Sequence, residues 1–431
     1  LITALSHISG LKVASRTAAF RFRGSAVDVA QAGLTLGVEC VLEGSVRTAG
    51  NHLRVTTRLT QARDGYLLWS QQFDRSLDDI FAVQDEIART VAQTLRPAQR
   101  PASTMIETAT ETTEAYTEYL KGRFHWNRRT EKDIDAAVMH FSRSIAIEPS
   151  FARGHAGLGD ALATQGLYGL QRPADVMPRA KASALRAVEL NPELAEGYVS
   201  LALVEAVYEW AWEDSERHFL EAAALAPDYS TALHWYASNC LVPNGRFEEA
   251  RAALERAAAA DPVSLPIGTS RGVLAFYERR FEEARDVLRA TLALDASFAP
   301  AHFFLAQVLA ELGDDAAALG HAERACALAE RPPETVAAFG VVAARAGDRS
   351  RAGQCLAELQ ATAASRFVSP GLAAQIYAAL GADADACMAL ERAFTERAPD
   401  LAWMAVRPVF ATLRNDERFQ HFVSRLGVRR S

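Results

Sequence analysis

Four short segments that open successive helices decide the fold: Gly245-Arg-Phe-Glu-Glu-Ala250, Arg279-Arg-Phe-Glu-Glu-Ala284, Gly313-Asp-Asp-Ala-Ala-Ala318 and Gly347-Asp-Arg-Ser-Arg-Ala352. Their closing alanines lie 34 residues apart each time, and each segment joins a turn to an amphipathic helix. A small residue at this position lets two helices pack closely, because a larger side chain would push them apart. The fixed spacing therefore predicts a series of similar helical hairpins.

The same spacing continues on both sides of these segments. Small residues suited to the same packing position occur at Ala137, Ala180, Ser215 and Ala386, which makes eight units in all. A period of 34 residues with this pattern resembles the tetratricopeptide repeat (TPR), a hairpin of two helices. The resemblance implies a mostly α-helical, right-handed TPR solenoid of about eight hairpins over residues 114–400.

Two parts of the helical region depart from the repeat. The step from Ala137 to Ala180 is 43 residues long, and its surplus includes Pro173 and Pro178. Because proline favours loops or the first turn of a helix, we expect a longer segment between the helices there. Residues 401–431 do not follow the repeat, and they predict a capping helix over the last apolar face of the solenoid.

The first 96 residues have the pattern of a small α/β domain. We expect a strand over residues 11–16, a helix over 28–36, three antiparallel strands over 40–48, 53–60 and 66–73, and a closing helix. Gly37 is a plausible C-cap of the first helix, and Ser76 with Asp79 fits a capping box before the last. The closing helix carries an apolar stripe of Ile80, Val83, Ile87, Val91 and Leu95.

Two blocks of this domain resemble a known family. Leu36-Gly-Val-Glu-Cys-Val-Leu-Glu-Gly-Ser-Val-Arg47 and Leu77-Asp-Asp-Ile-Phe-Ala-Val-Gln-Asp-Glu-Ile-Ala88 are similar to the bacterial TolB-like domain that precedes TPR arrays. The opening strand of that family has no counterpart here, and the chain starts at Leu1 rather than Met. The resemblance thus implies an N-terminally truncated TolB-like domain over residues 1–96. Residues 97–113, rich in Pro, Ala, Ser and Thr, read as a linker.

The distribution of charge argues against nucleic-acid binding by this segment. Residues 1–100 hold 12 Lys and Arg against 9 Asp and Glu, whereas the whole chain has a net charge of −7. The solenoid is therefore acidic, and a nucleic-acid groove would depend on Lys and Arg. Arg123, Arg128 and Arg129 form a basic cluster, which we interpret as surface and helix-end charge rather than a ligand site.

The motifs of common enzymes are missing from the sequence. We find no Gly-rich phosphate loop, no HExxH, no GxSxG elbow and no pairs of Cys or His at zinc spacing. The five cysteines are isolated from one another in the sequence. We therefore expect no catalytic residues, no cofactor and no metal site in this chain.

The predicted binding site is the groove lined by the first helix of each hairpin. By resemblance to TPR proteins, the residues that face this groove include Trp235, Asn239, Tyr277, Phe303 and Gln307. Aromatic and amide side chains on a helical wall suit an extended peptide or the helix of a partner protein. The alternative is that Trp235 and Phe303 pack between helices.

Two classes of function stay open. The first is a non-enzymatic scaffold or sensory region of a bacterial signalling protein that binds a protein partner. The second is the C-terminal part of an adenylate cyclase or of a winged-helix DNA-binding regulator. The resemblance implies that TolB-like domains with TPR arrays also follow Ser/Thr kinase domains. The sequence is compatible with a cytoplasmic location. It is also compatible with the periplasmic face of the inner membrane, because related proteins often carry a membrane tether, which would lie upstream of Leu1.

Overall fold

The computed structural model describes residues 5, 13–14, 19, 22, 28–49, 52–76, 80–95, 112–227 and 229–428. The chain divides into two compact units, of which the first comprises Leu1–Thr117 with Ala259–Ser264 and the second Glu118–Ala258 with Leu265–Ser431. Within the described ranges, no helix is both long enough and apolar enough to cross a membrane.

Over residues 28–49, 52–76 and 80–95, the first unit forms a three-stranded antiparallel sheet and two helices. Their bounds are α1 (Val29–Leu36), β1 (Cys40–Ala49), β2 (His52–Gln61), β3 (Leu67–Ser76) and α2 (Ile80–Leu95). The strands are ordered β1-β2-β3, as expected for a meander in which each strand pairs with the next. Gly37 ends α1 in a left-handed conformation with φ 65°, which confirms the predicted C-cap.

The core of this unit lies between one face of the sheet and α2. Leu53 and Phe73 of the sheet are each 1% exposed, and Val83 and Ile87 of α2 are 2% and 1% exposed. Val83, Ile87 and Val91 of the apolar stripe therefore pack as the sequence predicted. The predicted strand over residues 11–16 falls largely outside the described residues, and so does Asp79 of the predicted capping box.

The second unit consists of helical hairpins in series. The sixteen helices that form the eight hairpins are α3 (Thr113–Arg128), α4 (Glu131–Ile147), α5 (Ala152–Leu167), α6 (Pro173–Leu190), α7 (Ala195–Val204), α8 (Trp212–Leu225), α9 (Ser230–Tyr236), α10 (Phe247–Ala260), α11 (Leu265–Tyr277), α12 (Phe281–Leu294), α13 (Ala299–Glu311), α14 (Asp315–Leu328), α15 (Pro333–Arg345), α16 (Arg349–Ala363), α17 (Pro370–Ala379) and α18 (Asp383–Thr395). The predicted solenoid of about eight hairpins is therefore confirmed.

The small residues that define the period are the most buried positions of the second helices. Each of the eight has 0% of its surface exposed: Ala137, Ala180, Ser215, Ala250, Ala284, Ala318, Ala352 and Ala386. A glycine of the first helix often lies opposite the same second helix. A Cβ added to Gly272 would come within 2.6 Å of Leu288 Cγ, for example. Close approach of the two helices thus explains why the period appears in the sequence.

The prediction of a long segment between α5 and α6 is wrong in part. Pro173 occupies the first turn of α6, as expected, but Pro178 lies inside that helix. Proline at such a position removes one backbone hydrogen bond. The helix continues through it because its neighbours Met177 and Ala180 are both 0% exposed, so packing outweighs the local preference. Part of the nine-residue surplus therefore extends the helix rather than the loop.

After the last hairpin the chain forms two 3₁₀ segments, Pro399–Trp403 and Pro408–Asn415, and then α19 (Glu417–Arg425). α19 packs against α18, with Phe419 and Phe422 buried. The stretch before it is equally buried, since Leu401, Met404, Phe410 and Leu413 are each 0% exposed. We call residues 396–415 the C-terminal segment.

Candidate functional site

The first helices of the hairpins present two repeating columns of residues. One column lies eleven residues before each of the buried small residues that define the period. From the third hairpin onward it consists of Val204, Asn239, Val273, Gln307, Val341 and Gln375. The other lies fifteen residues before and reads Ser200, Trp235, Thr269, Phe303, Ala337 and Gly371. We call the surface formed by these columns and their counterparts in the first two hairpins the inner wall. It is the surface on which the sequence predicted a binding groove.

Four of the five predicted groove residues have little surface to offer in this structure. Trp235, Asn239, Tyr277 and Gln307 are 8%, 7%, 4% and 6% exposed, and Phe303 is half-buried. The two amides are also engaged within their own helices. Asn239 Nδ2 donates to the carbonyl oxygen of Trp235 at 3.0 Å, and Gln307 Nε2 donates to that of Phe303 at 3.3 Å. Their binding of a partner stays a prediction.

The C-terminal segment accounts for much of this burial, because it lies on the inner wall. Trp403 Nε1 donates to the carbonyl oxygen of Ser238 at 2.8 Å. Arg407 Nη1 donates to Gln375 Oε1 at 2.9 Å. Arg407 also lines a narrow crevice together with Gln307 and Arg345 of two inner helices. Part of the predicted groove is therefore filled by the chain itself.

The acceptor for Trp403 arises from an irregular helix. After α9 the chain continues as a π-helical turn, Ala237–Leu241, in which Val242 N–H donates to the carbonyl oxygen of Ala237. The next residue, Pro243, has no N–H to donate. The carbonyl oxygen of Ser238 is thereby left without a partner in its own helix. The indole of Trp403 supplies the missing donor, since a buried carbonyl needs one.

The first two hairpins contribute a different set of side chains to the inner wall. Arg123 Nη1 lies 3.0 Å from Asp160 Oδ2, and the two side chains are 17% and 3% exposed. Ser200 Oγ donates to the other carboxylate oxygen of Asp160 at 2.5 Å. The charge of Asp160 is thus satisfied on both sides by neighbouring first helices. This arrangement links three successive hairpins.

Two tryptophans meet beside this ion pair. The ring centroids of Trp126 and Trp235 are 6.0 Å apart and tilted by 55°. The guanidinium carbon of Arg123 lies 4.5 Å from the ring centroid of Trp126, and that of Arg129 lies 3.5 Å from the same ring. Both distances are within the range of cation–π contacts. Basic and aromatic groups therefore share one patch of the inner wall.

Electrostatic effects of burial are evident at this patch. Desolvation lowers the pKa of Arg129, whose residue as a whole is half-buried. Burial and, secondarily, the charge of Arg129 lower the pKa of His234 from its ordinary 6.5 to about 4. His234 is therefore neutral at pH 7, and its Nε2 lies 2.8 Å from Ser270 Oγ. The patch has the low-dielectric character in which charged contacts are strongest.

The interpretation of the basic cluster as surface and helix-end charge is wrong for Arg123, which forms a largely buried ion pair with Asp160. Arg128 is exposed, with 58% of its side chain accessible. Arg123 and Arg129 instead lie on the inner wall. Arg123 follows Gly122, where an added Cβ would come within 2.6 Å of Phe141. No spacing in the sequence marks Arg123 as an inner residue, because its partner Asp160 lies in the next hairpin.

Within the described ranges, no group of three or more His, Cys, Asp or Glu side chains is arranged to hold a metal ion. The described cysteines, including the buried Cys240 and Cys326, are free thiols. The described surface that concentrates unusual chemistry is therefore the aromatic and basic patch of the first four hairpins.

Comparison with curated proteins gives a match over part of the chain. No protein-family model matches it. A curated protein of Rhizobium meliloti (strain 1021), named "Putative adenylate cyclase 3", is 31% identical over 210 residues, which amount to 47% of this chain and only 35% of that protein. The chain thus corresponds to a minor part of this relative.

Among solved structures, the human IFIT1 dimer with PPP-AAAA is 15% identical, with a TM-score of 0.51, and the match covers 81% of this chain and 80% of that one. YrrB, described as a TPR protein with an unusual peptide-binding site, is 18% identical with a TM-score of 0.31, over 46% of this chain and 95% of that one. At such identities the likeness concerns the fold alone. Together with the 34-residue period, the fold defines an α-solenoid of the TPR class.

Proposed function

We propose that this chain is the non-enzymatic interaction region of a bacterial signalling protein, and that its inner wall binds an extended segment of a protein partner. The observation that carries the proposal is the C-terminal segment, which lies on the same wall. Its side chains bond to a helix carbonyl at Ser238 and to the amide of Gln375. A wall that holds one stretch of polypeptide in this way has the chemistry to hold another.

The binding region is proposed to be the part of the wall formed by the first four hairpins. There the inner residues include Arg129 and His234, each of which keeps some solvent contact. In the later hairpins the corresponding surface is covered by residues such as Met404, which is 0% exposed. The C-terminal segment also contacts the third and fourth hairpins, where Arg397 lies over Tyr208 and Trp403 bonds to Ser238. A partner segment would therefore engage the part of the patch around Trp126 and Arg129.

The resemblance of residues 1–96 to the TolB-like domain supports placing the chain in a signalling protein, as does its similarity to the named cyclase. We propose that this unit is a TolB-like domain that connects the solenoid to another domain of a longer protein. The second candidate is a catalytic role as part of an adenylate cyclase. In a cyclase assay with ATP and Mg²⁺ or Mn²⁺, we expect the purified chain to form no cyclic AMP. Formation of cyclic AMP above a heat-treated control would refute the non-enzymatic proposal.

Peptide selection tests the binding proposal directly. Random peptides displayed on phage are selected against the full chain, and the enriched peptides are synthesised. A photoreactive phenylalanine analogue is placed at Tyr168, which follows the first helix of the second hairpin and is 38% exposed, or at Leu220 on a second helix, as a matched control that is 50% exposed. We expect the peptides to crosslink to position 168 and not to 220. Failure of any peptide to enrich, or crosslinking at 220 alone, would contradict binding on the inner wall.

A further inference from the structure

Two histidines of the sixth hairpin meet nitrogen to nitrogen. His302 on α13 and His321 on α14 place their Nδ1 atoms 2.7 Å apart. The centroids of the two rings are 4.9 Å apart, and the rings are tilted by 32°. His302 is 8% exposed and His321 is half-buried. The contact therefore joins the two helices at a partly buried position, outside the two columns of the inner wall.

The backbone fixes which nitrogen of His302 carries the hydrogen. His302 Nε2 lies 3.1 Å from the carbonyl oxygen of Ala296. A carbonyl oxygen only accepts, so Nε2 is the protonated nitrogen, and the Nδ1 of the neutral ring presents a lone pair. A histidine that binds a metal ion commonly donates its other N–H to a backbone carbonyl in this way. His302 is thus held in the tautomer that can bind a metal ion through Nδ1.

A second pair of neighbouring histidines has a different arrangement. In the first hairpin, His125 Nδ1 lies 2.8 Å from a carboxylate oxygen of Asp133, and His140 Nδ1 lies 2.7 Å from one of Glu118. A carboxylate accepts, so both of these Nδ1 atoms carry hydrogen and present no lone pair. The Nδ1 atoms of the sixth hairpin face each other instead, and at least one of them presents a lone pair.

The hydrogen between the two rings has another place to go. Because the Nδ1 of His302 accepts, His321 Nδ1 is the donor in this contact. For both Nδ1 atoms to bind one ion, His321 has to carry its hydrogen on Nε2 instead. Both rings then stay neutral, which is the form in which imidazole binds metals. No net proton is gained or lost in this exchange of tautomers.

His321 has room to adjust to an ion. At zinc–nitrogen distances of about 2.0–2.1 Å and a tetrahedral angle, two ligand nitrogens lie about 3.3 Å apart. The two Nδ1 atoms therefore have to separate by about 0.6 Å from their contact of 2.7 Å. The neighbouring Gly320 is exposed, and a Cβ added there would meet no atom within 4 Å. The surface of α14 beside His321 thus leaves space for a small displacement and for water ligands.

We propose that His302 and His321 bind one divalent transition-metal ion of the Zn²⁺ or Ni²⁺ type through their Nδ1 atoms, with water in the remaining coordination positions. Imidazole nitrogen suits such ions, whereas Mg²⁺ and Ca²⁺ prefer oxygen. Of the charged groups that act on His321, Asp314 favours a cation and Arg289 opposes one. The two histidines are 19 residues apart, which matches no short metal-binding motif, so the sequence did not predict the site.

The bound ion connects α13 to α14 and stabilises the sixth hairpin, because it binds the folded chain. The site lies outside the inner wall, and the inference is therefore independent of the proposed function.

Isothermal titration calorimetry of the full chain with ZnCl₂ and NiCl₂ tests the proposal, and MgCl₂ is the negative control. The protein carries Cys40→Ser, because Cys40 is only partly buried, unlike the other four cysteines, and thiolates bind zinc. The variants are His302→Gln, His321→Gln and, as a control at an exposed histidine of α19, His421→Gln. Circular dichroism and the melting temperature establish that each variant is folded. Nitrogen-15 NMR of the histidine-labelled protein distinguishes coordination through Nδ1 from coordination through Nε2.

We expect one Zn²⁺ or Ni²⁺ ion per chain at this site, a higher melting temperature with either ion, and metal-dependent shifts of the Nδ1 resonances of two histidines. His302→Gln and His321→Gln should each weaken binding about tenfold or more, since loss of even an outer partner of a ligand has that effect. Both variants should also lose the increase in melting temperature. His421→Gln should bind the ions as the original protein does.

Three results would overturn the inference. The first is unchanged affinity for Zn²⁺ and Ni²⁺ in folded His321→Gln. The second is coordination through Nε2 alone in the protein with all its histidines, which would indicate binding to exposed side chains and needs no folded variant. The third is equal affinity for Mg²⁺, which would indicate carboxylate oxygens as the ligands.

Discussion

The ion pair between Arg123 and Asp160 offers a quantitative test of the inner wall. Removing one partner of a largely buried pair leaves the other charge unpaired, which costs about 3–5 kcal/mol. Arg123 keeps 17% of its side-chain surface, so water offsets part of the loss. We expect Arg123→Met and Asp160→Asn each to lower the free energy of unfolding by about 3 kcal/mol.

The double variant should be less destabilised than the sum of the two, because neither charge is then left alone. We expect a coupling energy of about 2 kcal/mol between the two changes. The free energies come from urea unfolding followed by circular dichroism at 222 nm, with midpoint and slope fitted for all four proteins. Arg54 and Asp74 supply the control cycle. They lie 2.6 Å apart but are 58% and 53% exposed, so their coupling should be much weaker than that of the buried pair.

Additive effects at Arg123 and Asp160 would refute this reasoning. A coupling energy as small as that of the exposed control pair would mean that the two charges are solvated independently. The inner wall of the first hairpins would then be open to water and would not form a low-dielectric environment. The position of Trp126, which Arg123 contacts at 4.5 Å, would also need another explanation.

Two further predictions concern helix packing and pH. Gly320→Ala should raise the free energy of unfolding by about 0.5–1 kcal/mol, because a Cβ there meets nothing within 4 Å and alanine favours the helix. Gly340→Ala should instead lower the free energy of unfolding by about 1–3 kcal/mol, since the added Cβ would lie 2.5 Å from Ile376 Cδ1. Urea unfolding of both variants measures the two changes, and equal changes in the free energy of unfolding would contradict this prediction. Because burial lowers the pKa of His234 from 6.5 to about 4, its neutral form favours the fold above pH 6.5, and this contribution is lost as the pH falls toward 4. His234→Gln should therefore flatten the pH dependence of the urea midpoint between pH 6.5 and 4, and an unchanged profile would count against burial of a neutral imidazole.

Much of the fold was predictable from the sequence because its determinants are local and repeated. Every landmark from Ala137 to Ala386 is buried as the period predicted, since one steric requirement recurs in each hairpin. The strands of the first unit were predicted to within a few residues from their alternation. The error at Pro178 has a plain cause. A proline preference is local, whereas the packing of Met177 and Ala180 that overrides it depends on the neighbouring helices.

The candidate site was predictable only in outline. The first helices do form a wall, and Trp235 lies on it, yet its burial could not be read from the period. Arg123 and Arg129 were assigned to the surface because they are charged residues at the end of a helix. Only one of the two pairs with an acid, and that acid lies 37 residues away in the next hairpin. No local pattern records such a contact.

The sequence by itself determined the series of hairpins, because each repeat carries the small residues and turn signals that fold it. The tertiary structure alone decided what the inner wall contains. Trp403 reaches the carbonyl oxygen of Ser238 across 165 residues of sequence, and Trp212 Nε1 reaches that of Leu426 across 214. Such contacts form only when the solenoid brings distant hairpins together, since they depend on its curvature rather than on any single repeat.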